Sequence, residues 1–214
     1  MIYTSLQKIR SEEGYESDKY NRVRMNLGLT ACTDKPIPLA VIFESNGFSD
    51  AVSLLTCCDG FDRHCVVYNV WCAEKFQDLM VDPRSLNAYK AAVAFSHGKI
   101  TEDQLYWYKY QADEVLNEWS RTELIQSAME QNPDLWTRES IKSLGHVDEV
   151  IDAELPKSEI QRAATLAGYV ADPRPREVSS VIHCSFWLTK QHGRQKTRKA
   201  QVEKFKEVFC SGAI

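Results

Sequence analysis

The sequence has no apolar run approaching the ~18 residues of a membrane-crossing helix, which excludes a helical membrane protein. Its opening residues, Met1-Ile2-Tyr3-Thr4-Ser5-Leu6-Gln7-Lys8, show neither the apolar stretch nor the cleavage pattern of an export signal. A cytoplasmic protein with no membrane partner is expected. Glycine (9 residues) and proline (7) are scarce and fall between helical patterns, where they act as punctuation. No stretch sustains period-two alternation, and no Asn-Gly or Asp-Gly joins two alternating runs, so little or no sheet is expected.

Familiar chemistry is missing too. There is no Gly-x-Ser-x-Gly elbow, no phosphate-cradling glycine-rich loop and no His-Glu-x-x-His zinc helix. His64, His97, His146, His183 and His192 are scattered without metal-ligand spacing. The cysteines stand at 32, 57, 58, 65, 72, 184 and 210, an odd and irregular set that reads as reduced thiols. Zinc knuckles need paired ligands about two to four residues apart, twice over, and Cys57, Cys58, His64, Cys65 and Cys72 lack that spacing. Cys65 and Cys72 lie among Val66, Val67, Val70 and Trp71, where buried thiols belong. No catalytic residue, metal or cofactor is assigned. For an unfamiliar active site, Cys57, Cys58, Glu44 and Asp50 are the first candidates.

What is present is a balance of 43% hydrophobic and 26% charged residues, typical of a folded chain and not of a disordered one. Thr4-Ser5-Leu6-Gln7 has capping-box spacing and opens a first short helix that Gly14 ends. A second runs from about Ser17 to Asn26, and the prolines of Asp34-Lys35-Pro36-Ile37-Pro38 mark a loop. Helices over 39–45 and 48–58 are broken at Asn46-Gly47, where glycine supplies a left-handed turn. Apolar residues recur at helical spacing over 62–80.

Asp82 caps the next helix with Pro83 in its first position; its expected inner face is Leu86, Tyr89, Val93 and Ser96. Thr101-Glu102-Asp103-Gln104 is a second capping box and opens the longest helix, with Leu105, Tyr108, Ala112, Val115, Leu116 and Trp119 inward. Further helices are expected over 137–144, 157–171, 176–190 and 196–209. The fold class is all-α, a multi-helix bundle or helical array.

Charge divides the chain. Residues 156–214 carry 11 Lys and Arg against 5 Asp and Glu, whereas residues 1–155 carry 15 against 25. The expected organisation is an acidic helical domain over 1–155 and a basic helical region over 156–214, packed on it or semi-independent, with a boundary near Leu155-Pro156. Lys190, Arg194, Lys196, Arg198 and Lys199 are candidates for binding nucleic-acid phosphates. Alternatively, they dock on the chain's own acidic middle. Glu102, Asp103, Asp113, Glu114 and Glu118 form an acidic face on the long helix, a candidate partner-binding surface. Tyr106, Trp107 and Tyr110 lie off its inner face, either as interface anchors or packed under the next helix.

One block carries a resemblance. Ile37-Pro38-Leu39 through Glu44-Ser45-Asn46-Gly47 and Asp50-Ala51-Val52 is similar to a block in small accessory proteins encoded by bacteriophages and prophages. Arg63 to Met80, Asp82-Pro83-Arg84-Ser85, Ala92 to Gly98, and Thr101 with Leu105 follow the same arrangement, so that residues 35–120 are covered. Trp71-Cys72 and His97-Gly98 depart from it, and the basic C-terminal region has no counterpart. The resemblance implies no catalytic residues. It implies an accessory protein, working in the cytoplasm of the bacterial host, that binds and inhibits or redirects a host protein or ribonucleoprotein complex. A defence system such as CRISPR-Cas is one such target. Stoichiometric blocking needs surface complementarity and no active site. Binding nucleic acid through the basic C-terminal helices is the alternative.

Overall fold

The computed structural model describes residues 2–14, 17–131, 158–189 and 193–211. The expected 137–144 helix, the boundary near Leu155-Pro156, and Lys190, His146 and His192 lie outside them. The fold is all-α, with ten α-helices and one two-stranded ladder among the described residues.

That ladder pairs β1 (Tyr3–Thr4) antiparallel with β2 (Ile37–Pro38), Tyr3 opposite Pro38 and Thr4 opposite Ile37. It corrects two expectations. Residues 37–38 are not all loop, and Thr4 does not cap the first helix, because its hydroxyl donates to the Cys57 carbonyl oxygen at 2.6 Å. Ser5 takes over, its Oγ accepting from the Lys8 N–H at 3.1 Å to open α1 (Leu6–Glu13). Ser17 caps α2 (Asp18–Asn26) the same way. Leu6, Ile9, Tyr20 and Val23 of these helices close on Ile37, Ile42, Leu54 and Cys57 as a satellite core.

α3 (Leu39–Asn46) and α4 (Phe48–Ser53) meet at Gly47, whose φ of 86° and ψ of 177° suit glycine alone. The expected helix to residue 58 tightens into a 3-10 turn at Leu54–Cys57. Likewise α5 (Asp62–Ala73) passes into a 3-10 turn at Glu74–Leu79 instead of running on as α-helix to residue 80.

α6 (Pro83–Ser96) opens as expected, with the Asp82 carboxylate accepting from the Arg84 N–H at 2.8 Å and Pro83 at the first position. Its inner face is broader than expected. Tyr89 is buried and Leu86 and Val93 pack half-buried against the core, as expected, and Ser85, Ala88, Ala91, Ala92 and Phe95 are buried as well. The alanines let neighbouring helices approach closely on more than one side. α7 (Glu102–Gln131) carries the expected capping box: the Gln104 N–H donates to Thr101 Oγ1 at 3.3 Å, and the Thr101 N–H donates to Gln104 Oε1 at 2.9 Å.

α8 (Ser158–Val170), α9 (Glu177–Leu188) and α10 (Arg194–Phe205), with a π-turn at Lys206–Cys210, complete the array. α5 lies at its centre and touches α6, α8, α9 and α10. Tyr68, Phe95, Leu105 and Ala112 share one core with Leu166, Val170, Val181, Phe205 and Phe209, so the basic helices bury their apolar faces against the acidic part of the chain. α7 and α8 touch closely at Gly168, where a Cβ would stand 2.9 Å from an Asp113 carboxylate oxygen.

Candidate functional site

The acidic candidates all lie on α7, but their charges are not equally available. Glu102 and Asp103 are exposed in its first turn, where carboxylates suit the positive end of the helix dipole. Glu114 is half-buried and accepts from Asn117 at 3.3 Å. Asp113 pairs with Lys109 one turn back, and Lys109 also stands 3.8 Å from the fully buried Asp172, which Arg174 grips as well. Glu118 is clamped by Arg84, whose terminal nitrogens lie 2.8 and 2.7 Å from its two oxygens. Those bonds outweigh burial and hold the Glu118 carboxyl below the usual carboxylate range. The same guanidinium reaches back to Asp82 at 3.0 Å and fastens the start of α6 to the middle of α7.

The α7 aromatics separate. Trp107 and Tyr110 are 58% and 60% exposed, so neither is packed under a neighbouring helix. Tyr106 is half-buried.

The basic candidates behave differently. Among the described residues, Arg194, Lys196, Arg198 and Lys199 have no carboxylate partner; most of the acidic middle, their alternative docking surface, lies outside the described side chains. Lys204 and Lys206, further along, pair with Glu207 and Glu203. The two arginines lie on aromatic rings instead: Arg194 over Trp187 at 4.6 Å and Phe186 at 5.3 Å, and Arg198 over Phe48 at 4.4 Å. Trp187 is 43% exposed and donates its indole N–H to His183 at 2.8 Å. With Arg162 beside them, these residues carry the basic, aromatic face across α8, α9 and α10.

Next to Lys196 runs a groove of about 370 Å³ between the turn after α5 and α10, with Trp71, Glu74, Lys75, Thr197 and Gln201 in its walls. The Lys75 ammonium donates to Thr197 Oγ1 at 3.0 Å and to Thr189 Oγ1 at 3.2 Å. Partial burial pulls its pKa down. Lys75, Trp187 and Arg162 were not singled out from sequence, since no local spacing links them to residues 194–199.

The residues first in line for unfamiliar chemistry are dispersed. Burial pushes the Cys57 thiol up to about 11 and Cys58 to about 12, far from a nucleophilic thiolate at neutral pH. Asp50 is held by Arg22 at 2.8 and 3.0 Å and by Asn46 at 3.3 Å, which braces α2 against the α3–α4 corner. Glu44 lines a shallow groove with Lys206 and Cys210, whereas Cys57 is enclosed in the satellite core. Among the described residues, no group of three or more His, Cys, Asp or Glu could hold a metal ion.

Comparison with protein-family models, with curated proteins and with solved structures finds no match to this chain.

Proposed function

We propose that this chain is a binding protein without chemistry of its own, of the phage accessory kind. It holds a host ribonucleoprotein, or another nucleic-acid-bearing complex, at fixed stoichiometry, with the α10 face on the phosphates. One observation carries the reading: Arg194, Lys196, Arg198 and Lys199 have no internal carboxylate among the described residues, while Asp113 and Glu118 of the acidic face are paired. A surface of cations with no carboxylate partner among the described residues, interleaved with Phe48, Phe186 and Trp187, suits a polyanion with exposed rings.

The test is a tagged pull-down of the full chain from prophage-bearing cells, with partner stoichiometry measured and with the four cations changed together to glutamine. One host complex should be recovered at a fixed ratio and lost with the variant. In gel shifts, the variant should reduce the slope of log affinity against log salt by about 3, from four lost phosphate contacts. Absence of any stable partner, with turnover of a substrate at substoichiometric protein, would overturn the reading.

A second reading is supported by Trp107 and Tyr110, exposed beside Glu102, Asp103 and Glu114. Two reachable aromatic rings on a rigid helix suit the protein component of such a complex. Changing both to alanine while leaving α10 intact should weaken capture of the host complex and spare binding to free nucleic acid.

A further inference from the structure

The groove beside α10 gathers two cations, a hydroxyl and an aromatic face in about 370 Å³. Lys75 belongs to one wall and Lys196 to the other. Thr197 Oγ1 lies 3.0 Å from the Lys75 ammonium, so a hydroxyl stands beside the positive charge, as at many phosphate sites. Trp71 is half-buried and backed by Tyr68, with ring centroids 6.3 Å apart, which fixes the indole while leaving part of it reachable.

Gln201 is a fixed part of the wall. It is 1% exposed, and its amide nitrogen is committed to Ser185 Oγ at 2.9 Å and to the Ile182 carbonyl oxygen at 3.3 Å. Glu74 on the same wall as Lys75 repels further negative charge, which suits one phosphate and not a chain of them.

We propose that this groove is a subsite for one unstacked nucleotide of a single-stranded nucleic acid, the base against Trp71 and its phosphate between Lys75 and Lys196. The inference rests on the reading of α10 as the phosphate-binding face and names the form of polymer that face takes. A duplex keeps its base faces stacked within the helix and offers only edges, whereas a single strand can turn a ring onto an indole. The groove offers a ring and cations and no reader of a base edge, so preference for the single-stranded form is the expected effect.

The experiment titrates the full chain with single-stranded oligoadenylate in RNA and DNA forms, and with a duplex of equal length. Tryptophan fluorescence and anisotropy are the readouts. The single strand should bind about five- to a hundredfold tighter than the duplex and quench emission. Trp71→Phe keeps an aromatic ring in place, so it should retain binding and lose most of the quench; Lys75→Gln should weaken binding severalfold at low salt. Tighter binding of a single strand than of the duplex, with the quench lost in Trp71→Phe, supports the subsite, and the tighter of RNA and DNA names its source. Equal affinity for duplex, or undiminished quenching in Trp71→Phe, overturns the subsite and leaves the α10 reading standing. If neither strand form is retained at low salt, the α10 reading falls with it.

Discussion

The Tyr68 hydroxyl donates to the backbone carbonyl oxygen of Gln201, 3.2 Å away and 133 residues along the chain. The bond joins the central helix α5 to α10, which carries the cations, and both residues are buried. Tyr68→Phe removes the donor and little else. The expected loss is about 0.5–1.5 kcal/mol of unfolding free energy in urea titrations, since a typical internal hydrogen bond is worth that much. Unchanged stability would show that the other contacts, Phe205, Phe209 and the Gln201 side chain among them, suffice to seat α10.

Gly47→Ala should cost about 1–3 kcal/mol, the usual strain of a side chain held at such a backbone position. Among the described residues a Cβ there meets nothing within 4 Å, so the penalty is conformational and not steric. Because ψ is 177°, far from the left-handed helical region, Gly47→Asn should be no better tolerated than alanine. Chemical denaturation of the two variants measures both; full stability of Gly47→Asn would contradict the assignment.

Asn69 is completely buried on α5, and neither its amide nitrogen nor its oxygen has a partner among the described residues. Each such group costs about 1–3 kcal/mol in lost hydration. Leucine has similar volume and no polar atoms. Asn69→Leu should therefore raise the thermal midpoint, and a lowered midpoint in calorimetry would refute this.

Two clamps predict acid sensitivity. Arg84 holds Glu118 below its ordinary pKa, and Arg22 does the same for Asp50. The folded chain then binds fewer protons than the unfolded chain just below the ordinary carboxylate values. The stability they contribute is complete above about pH 4 to 4.5, the unfolded range, and is lost as pH falls through the lower folded values. Urea midpoints should decline over that acid window in the wild type. Glu118→Gln combined with Asp50→Asn should decline less, starting from a lower neutral value; parallel curves would exclude the clamps as the cause.

Local chemistry was legible in the sequence wherever both partners were close in the chain. Thr101 with Gln104 and Asp82 with Pro83 are complete within a few residues, and the helices they open begin as expected. Thr4 was misassigned because its partner, the Cys57 carbonyl, lies 53 residues away. The α6 face is wider than Leu86, Tyr89 and Val93 alone, because spacing does not say how many neighbours a helix has, and Ala88 and Ala92 are buried as well. The charge split was visible, but not which charges cancel: Glu118 meets Arg84 across 34 residues. Lys75 reaches Thr197 across 122, so the groove had no signature in the sequence.

Seating Arg194 and Arg198 on aromatic rings divides the labour of the α10 cations. A guanidinium resting on Trp187 or Phe48 has already surrendered much of its rotamer freedom during folding. On contact with an anionic partner it forgoes much of the ordering cost of about 0.5–1.5 kcal/mol that each loose side chain incurs. Lys199 stands exposed on the same helix, so its charge would act mainly at a distance and hasten encounter in a way that salt screens. Such a lysine would govern how fast a polyanion arrives and the arginines how long it stays.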